Sequence, residues 1–131
     1  MTFATTMLDD GALRTSDEGF EVDVHLSWYR SLPLSSVLDI ELTVAGERVA
    51  RDELRFGVNG NEYTLDELAE RWDEIWFVLD PAILRCPRQL VAPGEEAEVT
   101  VRLVLRIPYI LIGPDRPLEF AQERTRTLEA R

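Results

Sequence analysis

The sequence predicts an all-β protein, an antiparallel β-sandwich or jelly-roll-like single domain with one short helix. Three observations support this class. Apolar and polar residues alternate with a period of two along most of the chain, which is typical of antiparallel strands with one packed and one solvated face. Turn residues recur at the short spacing of sandwich proteins, and only one segment carries a helix-start signal. The 131 residues fit one domain, so we expect residues 1–131 to form it, with an ordered core over about 19–120.

The first half of the chain supplies two alternating strands and a hairpin. Residues 20–28 place Phe20 and Trp28 on one face with the valines and leucine between them, and Pro33 closes the corner that follows. In residues 37–44, Leu38, Ile40, Leu42 and Val44 are expected to point inward. The turn at residues 45–47 leads into a short return strand near residues 48–49.

Residues 53–64 carry the clearest local signals in the sequence. Asn59-Gly60 predicts a tight hairpin, because its turn needs positive φ at both positions. Thr64 and Glu67 have the spacing of a capping box, which predicts a short helix over residues 65–72.

The second half contains the longest predicted strand. Residues 76–79 and 83–86 predict short strands on either side of Pro81. Between residues 97 and 107 every second residue is apolar, so we expect one long strand that ends near Pro108. The charged segment 122–131 is expected to fray. The predicted core is listed by strand: Val22, Val24, Leu26, Ile40, Leu42, Val101, Leu103 and Leu105.

The composition excludes several classes of function. The chain carries 25 acidic residues against 14 arginines and has no lysine, giving a net charge of −11. Such a chain is repelled by nucleic-acid phosphates and by anionic lipid, so we expect neither partner. The single cysteine cannot form an internal disulfide, and residues 1–10 lack the basic and apolar regions of a signal peptide. We therefore expect a cytoplasmic protein.

No group of residues predicts catalysis or cofactor binding by this chain alone. His25 is the only histidine and lies on the polar face of its strand, so a surface histidine is favoured over a metal ligand. Cys86 alternates with Leu84, which favours a buried small residue over a catalytic thiolate. Asp73 and Glu74 form an acidic pair that suits acid–base chemistry at a glycosidic bond, but a solvated charged surface is the stronger interpretation.

Large aromatic side chains are the most suggestive feature. Rings of this kind fill cores, stack on sugars or anchor protein interfaces. Trp76 and Phe77 must point to opposite faces, so one of them is available to a partner. The set comprises Trp28, Tyr29, Trp72, Trp76, Phe77 and Tyr109.

One segment resembles a known family. Residues 28–35 read Trp-Tyr-Arg-Ser-Leu-Pro-Leu-Ser and resemble the Tyr-Tyr-Arg-Gly-Leu-Pro-Leu-Ser-type segment of the small β subunits of bacterial C-glycoside deglycosidases. Here Trp28 replaces the first tyrosine and Ser31 the glycine. Weaker similarities extend the resemblance over about residues 19–109: the hairpin and Thr-Leu-Asp-Glu-Leu of 56–68, Trp76-Phe77 before Pro81-Ala82, Pro93-Gly94, and Arg106-Ile107-Pro108-Tyr109.

The resemblance implies a function shared between two chains. Subunits of this family are β-sandwich proteins that assemble with a larger TIM-barrel-like α subunit, which holds a divalent metal, commonly manganese, and the acid–base residues. The complex, a carbon–carbon lyase, cleaves the bond between a 3-oxo sugar and an aromatic aglycone by elimination. The resemblance thus implies a non-catalytic chain without a cofactor of its own.

Two other functions remain open at the level of sequence: a stand-alone carbohydrate-binding domain that uses exposed aromatic rings, and a domain that only oligomerises. For a subunit, the candidate interface is the corner where the chain leaves its strand. Arginine and aromatic residues fixed by a proline lose little conformational entropy on docking. The candidate contact residues are Trp28, Tyr29, Arg30, Leu32 and Pro33.

Overall fold

A computed structural model describes residues 7–131, which form short antiparallel strands and single turns of 3-10 helix. Residues 1–6, part of the segment in which we expect no signal peptide, lie outside the described residues. The strands are β1 Leu13–Ser16, β2 Gly19–Val24, β3 Leu32–Pro33, β4 Val37–Val44, β5 Glu47–Arg48, β6 Arg55–Val58, β7 Asn61–Thr64, β8 Ile75–Trp76, β9 Ala82–Cys86, β10 Glu96–Leu111 and β11 Pro117–Glu129.

The strands pair into two main sheets and one small one. Sheet I has the order β1-β2-β9-β6-β7, sheet II has the order β11-β10-β4-β5, and β3 pairs with β8 alone. Every pairing is antiparallel. The predicted all-β antiparallel class is therefore confirmed.

The inward-facing residues of both sheets belong to one hydrophobic cluster. Each residue of the predicted core is at most 3% exposed, which confirms the faces assigned to β2 and β10. The alternation predicted over residues 97–107 is confirmed as well, because Ala97, Val99 and Ile107 are buried with Val101, Leu103 and Leu105.

Leu38 departs from the predicted alternation. β4 has the predicted bounds, but Leu38 is 39% exposed whereas Val37 is buried. The cause is a β-bulge: Val104 of β10 pairs with Asp39, and the next residue, Leu105, pairs with Val37. One extra residue in β4 reverses the inward and outward positions that precede it. The inward assignment of Leu38 was therefore wrong.

The hairpin and the capping box are confirmed, but the helix is shorter than predicted. Asn59 and Gly60 have φ of 54° and 82° and join β6 to β7. The Thr64 amide donates to the Glu67 carboxylate (2.9 Å), and the Glu67 amide donates to the Thr64 hydroxyl (3.3 Å). The segment that follows is a 3-10 helix, Asp66–Glu70. Further 3-10 turns cover Leu34–Ser36 and Arg51–Glu53.

The end of the sequence is a strand, so the prediction of a fraying tail over residues 122–131 was wrong. β11 pairs with β10 from Pro117 to Glu129, and β10 continues past Pro108 with an irregularity between Ile107 and Leu111. The ordered region also begins earlier than residue 19, since β1 pairs with β2 and Met7 is buried.

Within the described residues, no helix is long and apolar enough to cross a lipid bilayer.

Candidate partner-binding surface

The predicted corner lies where the chain passes from sheet I to sheet II. β2 ends at Val24, earlier than the predicted strand end at residue 28. The corner is held by the small β3–β8 sheet, in which Leu32 pairs with Trp76 and Pro33 with Ile75. The Val78 amide also donates a hydrogen bond to the Ser31 hydroxyl (2.8 Å). The corner therefore has a fixed position relative to residues 75–78.

Leu32 does not belong to the surface of this corner. Its side chain is 2% exposed and forms part of the core, whereas Pro33 is half-buried. The prediction of Leu32 as a contact residue was wrong, because pairing of β3 with β8 turns that side chain inward. The buried Leu32 side chain attaches the corner to the hydrophobic core.

Trp28, Arg30 and Tyr109 form a compact cluster at the corner. The Trp28 indole N–H donates to the Tyr109 hydroxyl, and the Arg30 guanidinium lies over the Tyr109 ring, 4.8 Å from its centroid. The Trp28 ring also packs against Phe120 of β11, with centroids 5.2 Å apart, and against Tyr29 at 4.9 Å. Burial is the main factor that raises the pKa of the Tyr109 phenol, so its hydroxyl stays neutral. The cluster ties the corner to the β10–β11 hairpin.

Apolar side chains surround this cluster at the same end of the molecule. Phe77 and Leu79 follow β8 beside Ser31, whereas Leu111 and Ile112 follow Tyr109 at the tip of the β10–β11 hairpin. Tyr29 is 55% exposed and Leu79 is 88% exposed. We call this surface the aromatic end, and it comprises Tyr29, Arg30, Phe77, Leu79, Tyr109, Leu111 and Ile112.

The expectation for the Trp76–Phe77 pair is confirmed. Trp76 is fully buried, packs edge-on against Phe56 with ring centroids 5.3 Å apart, and donates to the Asp80 carbonyl (2.9 Å). Phe77 is exposed on the opposite side of the chain. One ring completes the core and the other belongs to the aromatic end.

Sequence reasoning did not single out Leu79, Leu111 and Ile112. The available signal was the apolar run Tyr-Ile-Leu-Ile at residues 109–112, which directly follows Pro108. A strand that stopped at Pro108 would leave these residues in a loop. Because β10 extends to Leu111, they form an exposed apolar tip instead.

Glu74 fixes the segment that precedes Phe77. Its carboxylate accepts hydrogen bonds from the Tyr63 hydroxyl and from the amides of Asn59 (3.2 Å) and Asn61 (3.1 Å). Burial acts to raise the pKa of Glu74, but the three hydrogen bonds outweigh it and lower that pKa below its ordinary value. The ionised Glu74 carboxylate therefore has a structural role, because it holds neighbouring segments together. Asp73, by contrast, is exposed.

Trp72 lies two residues before Glu74 and is 75% exposed. Its segment is anchored by backbone hydrogen bonds from Leu34 to Glu74 (2.9 Å) and from Ser35 to Arg71 (3.1 Å). The exposed ring is therefore presented on a fixed backbone that adjoins the corner.

His25 and Cys86, the other residues considered for metal binding or catalysis, have surroundings typical of structural residues. His25 Nε2 lies 2.7 Å from the Asp9 carboxylate and is half-buried. Cys86 is buried in the core, as the alternation predicted, and burial raises the pKa of its thiol. Over residues 7–131, no three or more histidine, cysteine, aspartate or glutamate side chains converge in a way that could hold a metal ion.

Comparison with known proteins places the chain in a family. The family described as "C-glycoside deglycosidase beta subunit" matches residues 3–109. A protein of that name from Microbacterium trichothecenolyticum is 40% identical over 95% of this chain and 94% of its own length. Another from Arthrobacter globiformis is 40% identical over 88% and 89%. A "3'-dehydrocarminate deglycosidase beta subunit" from a Microbacterium species is 33% identical over 98% and 96%.

A β-sandwich with an exposed aromatic and apolar surface is suited to binding a partner. The chain belongs to the C-glycoside deglycosidase beta subunit family.

Proposed function

We propose that this chain is the non-catalytic β subunit of a heteromeric C-glycoside deglycosidase and supports activity only when bound to a larger subunit. The observation that carries the proposal is 40% identity, over nearly the whole length of both chains, to proteins named as such β subunits. The aromatic end is the proposed docking surface, because exposed aromatic and arginine side chains on a rigid backbone are effective interface anchors.

The proposal assigns the chemistry to the larger subunit. Residues 7–131 offer no cluster of metal-binding side chains, and the one thiol is buried with a raised pKa. In this proposal the divalent metal, expected to be manganese, and the acid–base groups come from a TIM-barrel-like partner, as the family resemblance implies. A buried neutral thiol and a carboxylate committed to three hydrogen bonds are poor candidates for proton transfer.

The reaction proposed for the complex is an elimination on a 3-oxo C-glycoside. The 3-ketone acidifies the hydrogen on the neighbouring C2, so a base can remove that proton. The C2–H electrons then form a C1–C2 double bond while the bond from C1 to the aglycone carbon breaks. The aglycone carbon takes up a proton, and the reaction needs no external oxidant or reductant.

The test is reconstitution. The chain is purified alone and together with a candidate larger subunit from the same genome, and both preparations are assayed on a 3-oxo C-glucoside with added manganese. We expect a stable complex, activity in the complex, and none in the isolated chain. Activity of the isolated chain would contradict the non-catalytic role, and failure to bind the larger subunit would contradict the subunit assignment.

Glycan binding by the isolated chain is the outcome that would favour the alternative. The exposed Trp72 ring is suited to stacking on a sugar. If the chain binds C-glycosides or oligosaccharides by itself in calorimetry, and Trp72→Ala abolishes that binding, a stand-alone carbohydrate-binding domain is the better interpretation.

A further inference from the structure

We propose that Arg30 is the charged anchor of the aromatic end and binds a carboxylate of the larger subunit. This inference rests on the proposed function and specifies the recognition chemistry at its docking surface. The argument uses the geometry of the Arg30 guanidinium, the charge distribution around it and the apolar residues that flank it.

The guanidinium lies over an aromatic ring. It lies 4.8 Å from the centroid of the Tyr109 ring, and the Tyr109 hydroxyl is in turn bonded by the Trp28 indole. A guanidinium that lies over a ring can still present N–H groups to a partner, and their fork matches the two oxygens of a carboxylate. Because the side chain is already ordered, little entropy is lost when a partner binds.

Arg30 also forms no ion pair with an acidic side chain of residues 7–131. Six arginines form ion pairs with acidic side chains of residues 7–131; Arg85, for example, pairs with Glu21 (2.9 Å) and Glu62 (2.7 Å), and Arg51 contacts two aspartates. The Arg30 guanidinium is therefore available to a carboxylate of another chain.

The apolar surroundings make that carboxylate part of a protein interface. Tyr29 and Phe77 are exposed on two segments joined by the Val78–Ser31 hydrogen bond, and the Leu111–Ile112 tip is exposed as well. When a protein covers this surface, Arg30 loses its water, and a buried charge is tolerated only when it is paired and hydrogen-bonded. The larger subunit is therefore expected to present an aspartate or glutamate opposite Arg30, surrounded by apolar surface.

The experiment measures the dissociation constant of the complex with the larger subunit over a range of NaCl concentrations. We expect Arg30→Gln to weaken binding by at least about 30-fold, which is the effect of truncating one member of a desolvated charge pair. It should also flatten the dependence of binding on salt. Arg30→Lys keeps the charge but loses the planar guanidinium, so its dissociation constant should lie between those of the wild type and Arg30→Gln. Arg48→Gln is the control, because Arg48 is an exposed arginine on β5, away from this surface.

A double-variant cycle tests the role of the Tyr109 ring. If the ring acts by holding the guanidinium, Tyr109→Leu and Arg30→Gln are not additive, and the double variant binds about as weakly as Arg30→Gln. Circular dichroism and thermal melting of each isolated variant check that it folds.

The outcomes separate this inference from the proposed function. A complex whose affinity and salt dependence are unchanged by Arg30→Gln would overturn the inference and leave the subunit assignment in place. So would a rise in the KM for substrate at unchanged subunit affinity, because Arg30 would then bind a substrate anion. Failure of the wild-type chain to bind the larger subunit would overturn both.

Discussion

Replacing Leu103 by alanine tests the assignment of the inward face of β10. Leu103 is fully buried at the centre of that strand, with Ile40 on one side and Gln122 on the other. The change removes three carbon atoms from the core, which costs about 2.4 kcal/mol in transfer free energy alone. The cavity left behind brings the expected loss of unfolding free energy to about 3–4 kcal/mol, or a fall in Tm on the order of 10 °C.

Val104→Ala is the matched control for Leu103→Ala. Val104 is the next residue along β10, is half-exposed and points to the opposite face of sheet II. Its truncation should cost less than about 1 kcal/mol. The assay is urea unfolding followed by tryptophan fluorescence, with the slope m held constant across variants. Equal losses for the two variants would refute the assigned face, because a register shift of one residue exchanges the two sides of a strand.

Two further predictions concern a glycine and a carboxylate. Gly19→Ala should cost more than about 3 kcal/mol, because its Cβ would lie 2.0 Å from the Cys86 carbonyl oxygen; Gly94→Ala, at positive φ in open space, should cost only about 1 kcal/mol in thermal melts. Because the folded-state pKa of Glu74 is lowered, its stabilising contribution is present above the unfolded pKa of about 4.3 and disappears as the pH falls through the folded value. In unfolding free energies measured between pH 7 and pH 3, Glu74→Gln should therefore show a shallower loss with acid than wild type, whereas Glu70→Gln should follow the wild type; identical acid profiles for all three would contradict the Glu74 prediction.

Local signals in the sequence predicted the elements that neighbouring residues determine. The Asn59-Gly60 hairpin and the Thr64 capping box depend on backbone geometry within a few residues, and both are present. The alternation of β10 was equally readable, because that strand packs one continuous face on the core. The bulge at Leu38 was not predictable, since it is defined by how β4 pairs with β10, a strand more than sixty residues later.

The sequence analysis did not predict β11, because the composition of this segment does not show the apolar alternation of a strand. The residues that share a face with the buried side of β10 include Gln122, Arg124 and Arg126, which are charged or polar and do not produce an apolar alternation. The methylene stems of such long side chains cover apolar surface, and the Gln122 Oε1 and Arg124 Nε atoms are themselves buried. The hydrogen bonds that make residues 122–129 a strand come from β10, so pattern analysis of this segment alone predicts disorder.

The candidate surface was predictable in part. Tyr29, Arg30 and Phe77 were singled out from residue type and neighbouring proline or strand alternation, and all three are exposed. Leu32 was misplaced because the two-residue pairing of β3 with β8 joins positions 44 apart in sequence, which no local pattern encodes. The joining of the corner, the 77–79 segment and the hairpin tip into one end of the molecule is likewise a property of the tertiary structure.

The hydrogen bonds between β1 and residue 131 close the fold between positions far apart in the sequence. The Thr15 amide donates to the Arg131 carbonyl (2.7 Å), and the Arg131 amide donates to the Leu13 carbonyl (3.1 Å). The Thr15 hydroxyl donates to the same Arg131 carbonyl, 116 positions away in the sequence. Until residue 131 reaches β1, the only strand paired with β1 is β2. Such non-local closure makes folding slow, on the millisecond-to-second scale, and leaves the edge of β1 open to wrong partners in the meantime.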